Sequence, residues 1–409
     1  MQRVILHCDL NNFYASVACL DDPSLRNKAV AVTGNPEERH GIILAKNMAA
    51  KKCGVTTGET IWQAKLKCPN LVTVPPNFKR YDYFSKKARK IYEDFSDMVE
   101  PFGPDEAWID VSGSLLIFGS GEQIAEMIRK RIREELGLTV SIGVSFNKVF
   151  AKIGSDLKKP DAISVISKEN FKSVVWPLPI DAMIGIGGAT KRKLEHSGIF
   201  TLGDLANASE ETLKRILGKL GPQYKSYAQG FDSSRVAPSD YVHTPKSISR
   251  STTTERDLKT RDDVWRTILF LAEEVATELR RFSLEATSVG LHLRTTALKV
   301  NELQMPLDTP TQLGFNLALW GIKLFEQNYE FSTPLRSIGI KAINLQTADS
   351  SARQMYLFSD VKKETRLETI ETQMDLLRSR FGKGCICRGV TLHEKKAPAA
   401  EKPFSMMYK

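Results

Sequence analysis

Apolar and polar positions alternate along this chain in ways that predict most of its elements. Residues 3 to 9 (RVILHCD) form a mostly apolar run that ends on Asp9, the pattern of a buried strand. Residues 12 to 20 predict a short helix, and 29 to 33 (AVAVT) a second strand. From 78 to 98 apolar residues recur at Tyr81, Phe84, Ala88, Ile91, Phe95 and Met98, a helical spacing with lysines between. VEPFGPDEAWIDVSG, residues 99 to 113, then predicts a turn and a strand. Ile124, Ile128, Ile132 and Leu136 mark an amphipathic helix, and TVSIGVS alternates as a strand through Val140, Ile142 and Val144. Strands with helices on one face describe an α+β sheet domain.

The pattern changes after Pro160. Residues 180 to 230 predict short helices punctuated by glycine, and PSDYVHTPKS an exposed linker. A second α+β unit follows over about 244 to 347. It comprises strand SISRSTTT, a helix through Val264, Ile268, Leu271, Val275 and Leu279, strand TSVGLHLR, a helix through Leu313, Leu317, Trp320 and Leu324, and strand SIGIKAI. The tail from 348 is polar, with one helix through Leu367, Ile370, Met374, Leu377 and Phe381. No internal repeat or low-complexity segment is present, and the fold class expected is α+β multidomain.

A chain of 409 residues suggests about three such units, and its 42% hydrophobic content is that of a globular protein. No apolar run approaches the ~18 residues of a membrane span, and the start MQRVILHCDLNN lacks a signal peptide's apolar core, so a cytoplasmic protein is expected. Cys8, Cys19, Cys53 and Cys68 are scattered, Cys385 and Cys387 stand one residue apart, and the six histidines do not cluster, which argues against a structural zinc site. The net charge of +10 is informative through its location. From Lys46 to Lys90 eleven Lys and Arg face only Glu59 and Asp82, either a solvated helical face or a surface that meets polyanions.

The pair Asp105–Glu106 raises a sharper question. Neighbours in a strand face opposite sides, so two acids share a site only where the strand leaves a turn, and Gly103-Pro104 supplies one. Beyond it Ala107, Ile109 and Val111 make an apolar face for the helices. Glu106, Trp108 and Asp110 make the other, expected to be open with acids gathered at one end. Asp9, at the end of the first strand, is the natural third member. Three converging carboxylates repel unless a hard dication neutralises them, and oxygen ligands favour Mg²⁺. Two such ions about 4 Å apart serve phosphoryl transfer, in a polymerase or a nuclease alike. Each acid alone reads more readily as a surface group than as a ligand.

CDLNNFYASV, LAKNMAAKKCGV, VEPFGPDEAWIDV, SIGVSFNKVFAKIGSDLKKPDAISV and IGIGGATKRKLEHSGIFTLGDL occur in the order found in Y-family, translesion DNA polymerases. The chain resembles that family over essentially its whole length, most closely the single-chain DNA polymerase IV-like branch. The resemblance implies a right hand: palm over 1–15 and 78–168, small fingers over 16–77, a helical thumb with a helix-hairpin-helix over 169–234, a linker at 235–243, an α+β little finger over 244–347, and a tail at 348–409. It implies two Mg²⁺ ions held by Asp9, Asp105 and Glu106 with the main-chain carbonyl of Leu10, acting on a primer 3′-hydroxyl and the triphosphate of a deoxynucleotide. Tyr14 matches the aromatic steric gate against a ribose 2′-hydroxyl, with Phe13 beside it. Lys51 and Lys159 match cations that grip the triphosphate, while Val32, Leu44 and Gly58 match the roof over the nascent base pair.

The chain also departs from the family pattern. Asn11 stands where many relatives carry a second acid, and Gly103 where many have serine. Met48 replaces a tyrosine whose hydroxyl touches the triphosphate, Ala45 a threonine, and Leu44 is bulkier than the small residue often found there. These changes remove hydrogen bonds to phosphate and add apolar bulk near the base, which implies weaker nucleotide affinity or a narrower lesion range.

Ile184 to Gly187 followed by a helix and Gly198 reads as a helix-hairpin-helix, with Gly185 and Gly187 letting phosphate approach the backbone. Arg250 and the hydroxyls of SISRSTTT suggest a phosphate-tracking edge, although residues 241 to 345 hold 13 basic and 12 acidic residues and are nearly neutral. QMYLF resembles the sliding-clamp-binding peptide of this branch, with Gln354, Leu357 and Phe358 as anchors. The expected partners are therefore primer–template DNA, deoxynucleoside triphosphates and a sliding clamp, with no membrane and the chain as a monomer. The leading reading is a low-fidelity polymerase that bypasses damaged template bases. One alternative is a non-catalytic, clamp-tethered DNA-binding subunit, which retention of all three acids opposes. Another is a two-metal nuclease, which leaves Tyr14 and the C-terminal unit unexplained.

Overall fold

The computed structural model describes residues 3–35, 41–348 and 361–394. Two compact units divide at Val242/His243. In the first, β1 (Ile5–Leu10), β2 (Val30–Thr33), β3 (Ile43–Lys46), β4 (Val72–Val74), β5 (Val99–Pro101), β6 (Glu106–Asp110), β7 (Val140–Ser145) and β8 (Ile163–Ile166) build two sheets. The larger has the order β5-β6-β1-β7-β8, with β1 antiparallel to both neighbours. The smaller has the order β3-β2-β4.

One face of the larger sheet, through Leu6, Cys8, Leu10, Ala107, Ile109, Val140, Ile142 and Val144, is buried under the helices Phe78–Glu93 and Gly121–Leu136. Those helices present Tyr81, Phe84, Ala88, Ile91, Ile124, Ile128 and Ile132, the stripe that helical periodicity requires. The second helix opens on a capping box between Ser120 and Gln123 and ends at Gly137 in the left-handed region.

The second face is not open, contrary to the sequence expectation. The helix Lys148–Leu157 lies across it against β1 and β7. Trp108 is buried there with Ile5, Ala151 and Val236. The helix approaches so closely because Gly143 has no side chain: a Cβ there would stand 1.9 Å from the Ala151 carbonyl oxygen. The periodic signal concealed this cover. Val149, Phe150 and Ile153 turn toward the core of the following helical segment, leaving small and polar residues against the sheet.

That helical segment comprises the short helices Phe171–Val175, Gly188–Glu195, Leu202–Asn207, Glu210–Leu217 and Leu220–Ala228 around one apolar core. The stretch 238–244 is exposed, whereas Val236 just before it is buried and Ala237 N–H donates to Glu100 at 2.9 Å. The start of the expected linker is thus laid against the first unit.

The second unit contains β9 (Ser247–Leu258), β10 (Leu284–Thr295), β11 (Val300–Thr311) and β12 (Leu335–Thr347), antiparallel in the order β11-β10-β12-β9. Helices Arg261–Arg281 and Gly314–Asn328 cover one face. β11 escaped the sequence reading because Pro306, Pro310 and acids interrupt it, as befits an edge strand. The C-terminal helix Val361–Phe381 contacts helix Arg261–Arg281 of the same unit. Among the described residues no helix is long and apolar enough to cross a membrane.

Candidate active site

The acids meet where β1 and β6 run side by side. Asp9 pairs with Glu106 across the ladder, and Leu10 N–H donates to the Asp105 carbonyl at 3.0 Å. Gly103 takes φ +107°, a value strained for any L side chain, so the chain can turn before Asp105. By strand parity Asp9 and Glu106 lie on the same face as His7 and Trp108, at the end that helix Lys148–Leu157 overhangs.

That helix and the loop after it supply two counter-charges, of which the sequence reading named Lys159 but not Lys152. Lys152 Nζ lies 2.8 Å from Glu106 Oε1 and 3.9 Å from Asp9 Oδ2. Lys159 Nζ donates to Asp9 Oδ2 at 2.7 Å and pairs with Asp156 at 2.8 Å. Lys159 was expected to grip a triphosphate, and it stands on one of the predicted acids. Beneath them His7 is wholly buried, its Nδ1 2.8 Å from Ser155 Oγ and its Nε2 3.5 Å from Glu106 Oε2. Tyr92, also buried, has a hydroxyl with no hydrogen-bond partner among the described residues. The signals for these groups were present in KIGSDLKKP and in His7 before Asp9, but lysine and histidine at such positions have many ordinary uses.

The electrostatics are those of an under-compensated cluster. Burial, then the charges of Asp9 and Glu106, push the Asp105 carboxyl up to about 7. Burial also raises Asp9, against which Lys159 acts, with Glu106 raising it further. Burial lowers the Lys159 pKa, but the Asp9 and Asp156 charges outweigh it and the net shift is upward. Burial and the Lys152 charge hold the His7 imidazole well below its usual value, so it is neutral at pH 7.

Among the described residues no three His, Cys, Asp or Glu side chains stand in a metal-holding group. The donor set is nevertheless all oxygen, with three carboxylates against two lysines, and this suits a hard divalent cation.

Tyr14 lies on the helix Phe13–Asp21, its ring stacked on Tyr81 at 4.0 Å, with Phe13 buried beside it. Burial, then the Asp105 charge, raise its hydroxyl to about 12. The same helix touches β2 and β3, where Val32 pairs with Ala45. Leu44 and Met48 are half-buried, Gly58 is exposed, and Lys51 is exposed on the helix Met48–Lys52. Burial and the Lys51 charge lower the pKa of Lys46, so these two cations share one locality.

The other predicted residues lie elsewhere. Gly185 accepts the Tyr224 hydroxyl on its carbonyl at 3.1 Å, and Gly187 is the N-cap of helix Gly188–Glu195. Arg250 pairs with Ile340 across the ladder, on the helix-covered face, with its guanidinium 3.6 Å from Glu278. Ser249 and Ser251 pair with Lys341 and Gly339 and face the uncovered side, so these two hydroxyls and Arg250 do not form one row. Gln354, Leu357 and Phe358 lie outside the described residues.

The chain matches the impB/mucB/samB family over residues 8–156 and that family's C-terminal domain over residues 245–357. It is 48% identical over 395 residues to a DNA polymerase IV of Acetivibrio thermocellus, covering 97% of this chain and 99% of that one. A DNA polymerase IV of Bacillus velezensis is 35% identical over 403 residues, covering 98% and 96% respectively. Among solved structures, a Y-family DNA polymerase chimera of Dbh and Dpo4 superposes with a TM-score of 0.74 at 23% identity, over 84% of this chain and 99% of its own. The β1–β6 acids, the layered α+β core and these full-length likenesses agree: the chain belongs to the Y-family of translesion DNA polymerases, in the DNA polymerase IV branch.

Proposed function

We propose that this chain adds deoxynucleotides to a primer 3′ end under template direction, with low fidelity and across damaged template bases. The observation that carries this reading is the gathering of Asp9, Asp105 and Glu106 at adjoining strand ends, with Asp105 raised to about 7 by burial and its two acidic neighbours. Asp9, Asp105, Glu106 and the Leu10 carbonyl would hold two Mg²⁺ ions. Bound there, the ions would supply Lewis acidity for the primer hydroxyl and charge neutralisation for the triphosphate.

The chain's own residues do the positioning. Lys51 and Lys159 bind triphosphate oxygens, and Lys159 exchanges its Asp9 contact for phosphate as it does so. Tyr14 lies under the sugar, where its ring excludes a 2′-hydroxyl. Val32, Leu44 and Gly58 cover the nascent pair, and Gly185 and Gly187 present backbone N–H groups to DNA phosphates without reading bases. In this plan the palm is 1–15 with 78–168, the fingers 16–77, the thumb 169–234 and the little finger 244–347. Arg250 steadies the little-finger edge strand, while Ser249, Ser251 and Lys341 track phosphate. A sliding clamp takes the peptide containing Gln354, Leu357 and Phe358, and the chain works as a cytoplasmic monomer.

The test is extension of a primer opposite an abasic site, compared with an undamaged template. Insertion past the abasic position supports bypass. Synthesis that stops there, on a template otherwise copied, refutes it.

A further inference from the structure

The catalytic reading accounts for the three acids and Lys159, but not for a histidine buried directly beneath them. His7 is 0% exposed, and among the described residues its Nε2 has no hydrogen-bond partner. Nε2 faces Glu106 Oε2 at 3.5 Å, while the other carboxylate oxygen, Oε1, is held by Lys152 at 2.8 Å. The ring is fixed on two further sides, by Ser155 Oγ at 2.8 Å from Nδ1 and by Trp108, edge-on at a centroid distance of 5.2 Å.

The network determines which nitrogen carries the proton. Ser155 Oγ stands 2.8 Å from His7 Nδ1 and 2.8 Å from the Lys152 carbonyl. Its single hydrogen can go to only one of them. If the carbonyl took it, Nδ1 would carry the ring proton and a bare Nε2 lone pair would confront a carboxylate oxygen in a buried site. Two acceptors facing each other without a donor are costly there. If Nδ1 takes the hydroxyl hydrogen, Nε2–H points at Glu106. The Lys152 carbonyl loses little, because it lies inside a helix whose backbone supplies it with a donor.

We propose that His7 is a positioning residue for Glu106, with Ser155 fixing the tautomer in which Nε2–H holds the Glu106 carboxylate against the Asp9–Asp105 side of the site. Lys152 and His7 then grip one oxygen each, so the carboxylate plane is set before any cation arrives. Groups that orient a metal-binding carboxylate in this manner typically change metal affinity or activity about 10–100-fold when removed. The inference rests on the metal-dependent reading above.

The test uses the full-length chain with His7→Phe, which keeps bulk, and His7→Gln, which restores an N–H near the Nε2 position. Mn²⁺ binding followed by electron paramagnetic resonance is the primary readout, with kcat, KM for nucleotide and melting temperature beside it. His7→Phe is expected to weaken Mn²⁺ binding and lower kcat by about 10–100-fold while KM for nucleotide stays within about twofold, and His7→Gln to recover most of both. Native Mn²⁺ affinity in His7→Phe overturns the inference. So does an equal loss in both variants alongside an equally lowered melting temperature, which would make His7 a space-filler. Asp105→Ala separates the two levels: Mn²⁺ binding that depends on Asp105 but ignores His7 refutes this inference alone. Binding that also ignores Asp105 refutes the parent reading with it.

Discussion

Two clusters of acidic side chains in this chain are built in opposite ways. In the C-terminal unit Glu273, Glu371 and Asp375 meet Arg280, Arg378 and Arg388, and every carboxylate oxygen has a donor. Glu273 takes Arg378 at 2.8 Å and Arg388 at 2.6 Å. Glu371 takes Arg388 at 2.6 Å, Arg280 at 2.7 Å and Gly314 N–H at 2.9 Å. Asp375 takes Arg280 at 2.7 Å and the Thr277 hydroxyl at 2.8 Å. In the palm the acids meet lysines instead, and among the described residues no cation lies within 4 Å of the Asp105 carboxylate. Guanidinium forks consume carboxylate oxygens in fixed pairs, whereas an ammonium is a point charge on a flexible stem that a stronger cation can displace. The arginine cluster ties the C-terminal helix down; the lysine cluster leaves charge unquenched for a ligand.

The contrast breaks most readily in the arginine cluster. Glu371→Ala leaves Gly314 N–H without its acceptor and takes one of two carboxylates from each of Arg280 and Arg388, and leaving a buried donor unpaired costs about 1–3 kcal/mol. Thermal unfolding of the full chain should show that loss, with earlier proteolysis around Val361–Phe381. A variant as stable as the native chain would make the network ornamental.

The second expected effect concerns selectivity. Tyr14→Ala should raise ribonucleotide incorporation relative to deoxynucleotide by roughly 10–200-fold, the range for one steric contact in a pocket. An unchanged ratio in competitive incorporation would remove Tyr14 from the sugar site.

The third has the opposite sign to the first. Asp105 is raised from its ordinary 3.8 to about 7. Between those values the folded chain holds a proton that the unfolded chain releases, so metal-free stability falls as pH rises through that window. Asp105→Asn should therefore melt above the native chain at pH 8 in the presence of a chelator, and converge with it near pH 4. A variant less stable at pH 8 would mean that the acid is compensated after all.

The smallest effect is at Met48. Met48→Tyr restores a hydroxyl toward the triphosphate, and a hydrogen bond to a charged group is worth about 1.5–3 kcal/mol before screening. KM for nucleotide should fall roughly 3–10-fold. An unchanged KM would refute the idea that this position weakens nucleotide binding.

Much of this was legible in the sequence, for identifiable reasons. Asp9 ends a run of strand residues and Asp105 follows a Gly-Pro turn, so the convergence of β1 and β6 could be read from pattern alone. The helices carrying Tyr81 and Ile128 were equally clear, because a full apolar stripe repeats along each. Helix Lys148–Leu157 was not, since it packs on the sheet through Ala151, Gly154 and Ser155 around Gly143, and small residues carry almost no periodic signal. Without that helix, Lys152 could not be placed beside the acids, nor Ser155 beside His7. The face that Arg250 occupies was not legible for a related reason: alternation says which residues share a face, but not which face the helices cover.

Primer extension on a short primer–template tests the central claim most directly, with the native chain and Asp105→Ala compared in Mg²⁺ and deoxynucleotides at equal DNA occupancy. The account predicts extension by the native chain and a loss of ~10³-fold or more in the variant, the scale on which one member of a catalytic unit acts. DNA binding by both with extension by neither would contradict it, and would make this a polymerase fold retained as a DNA-binding scaffold.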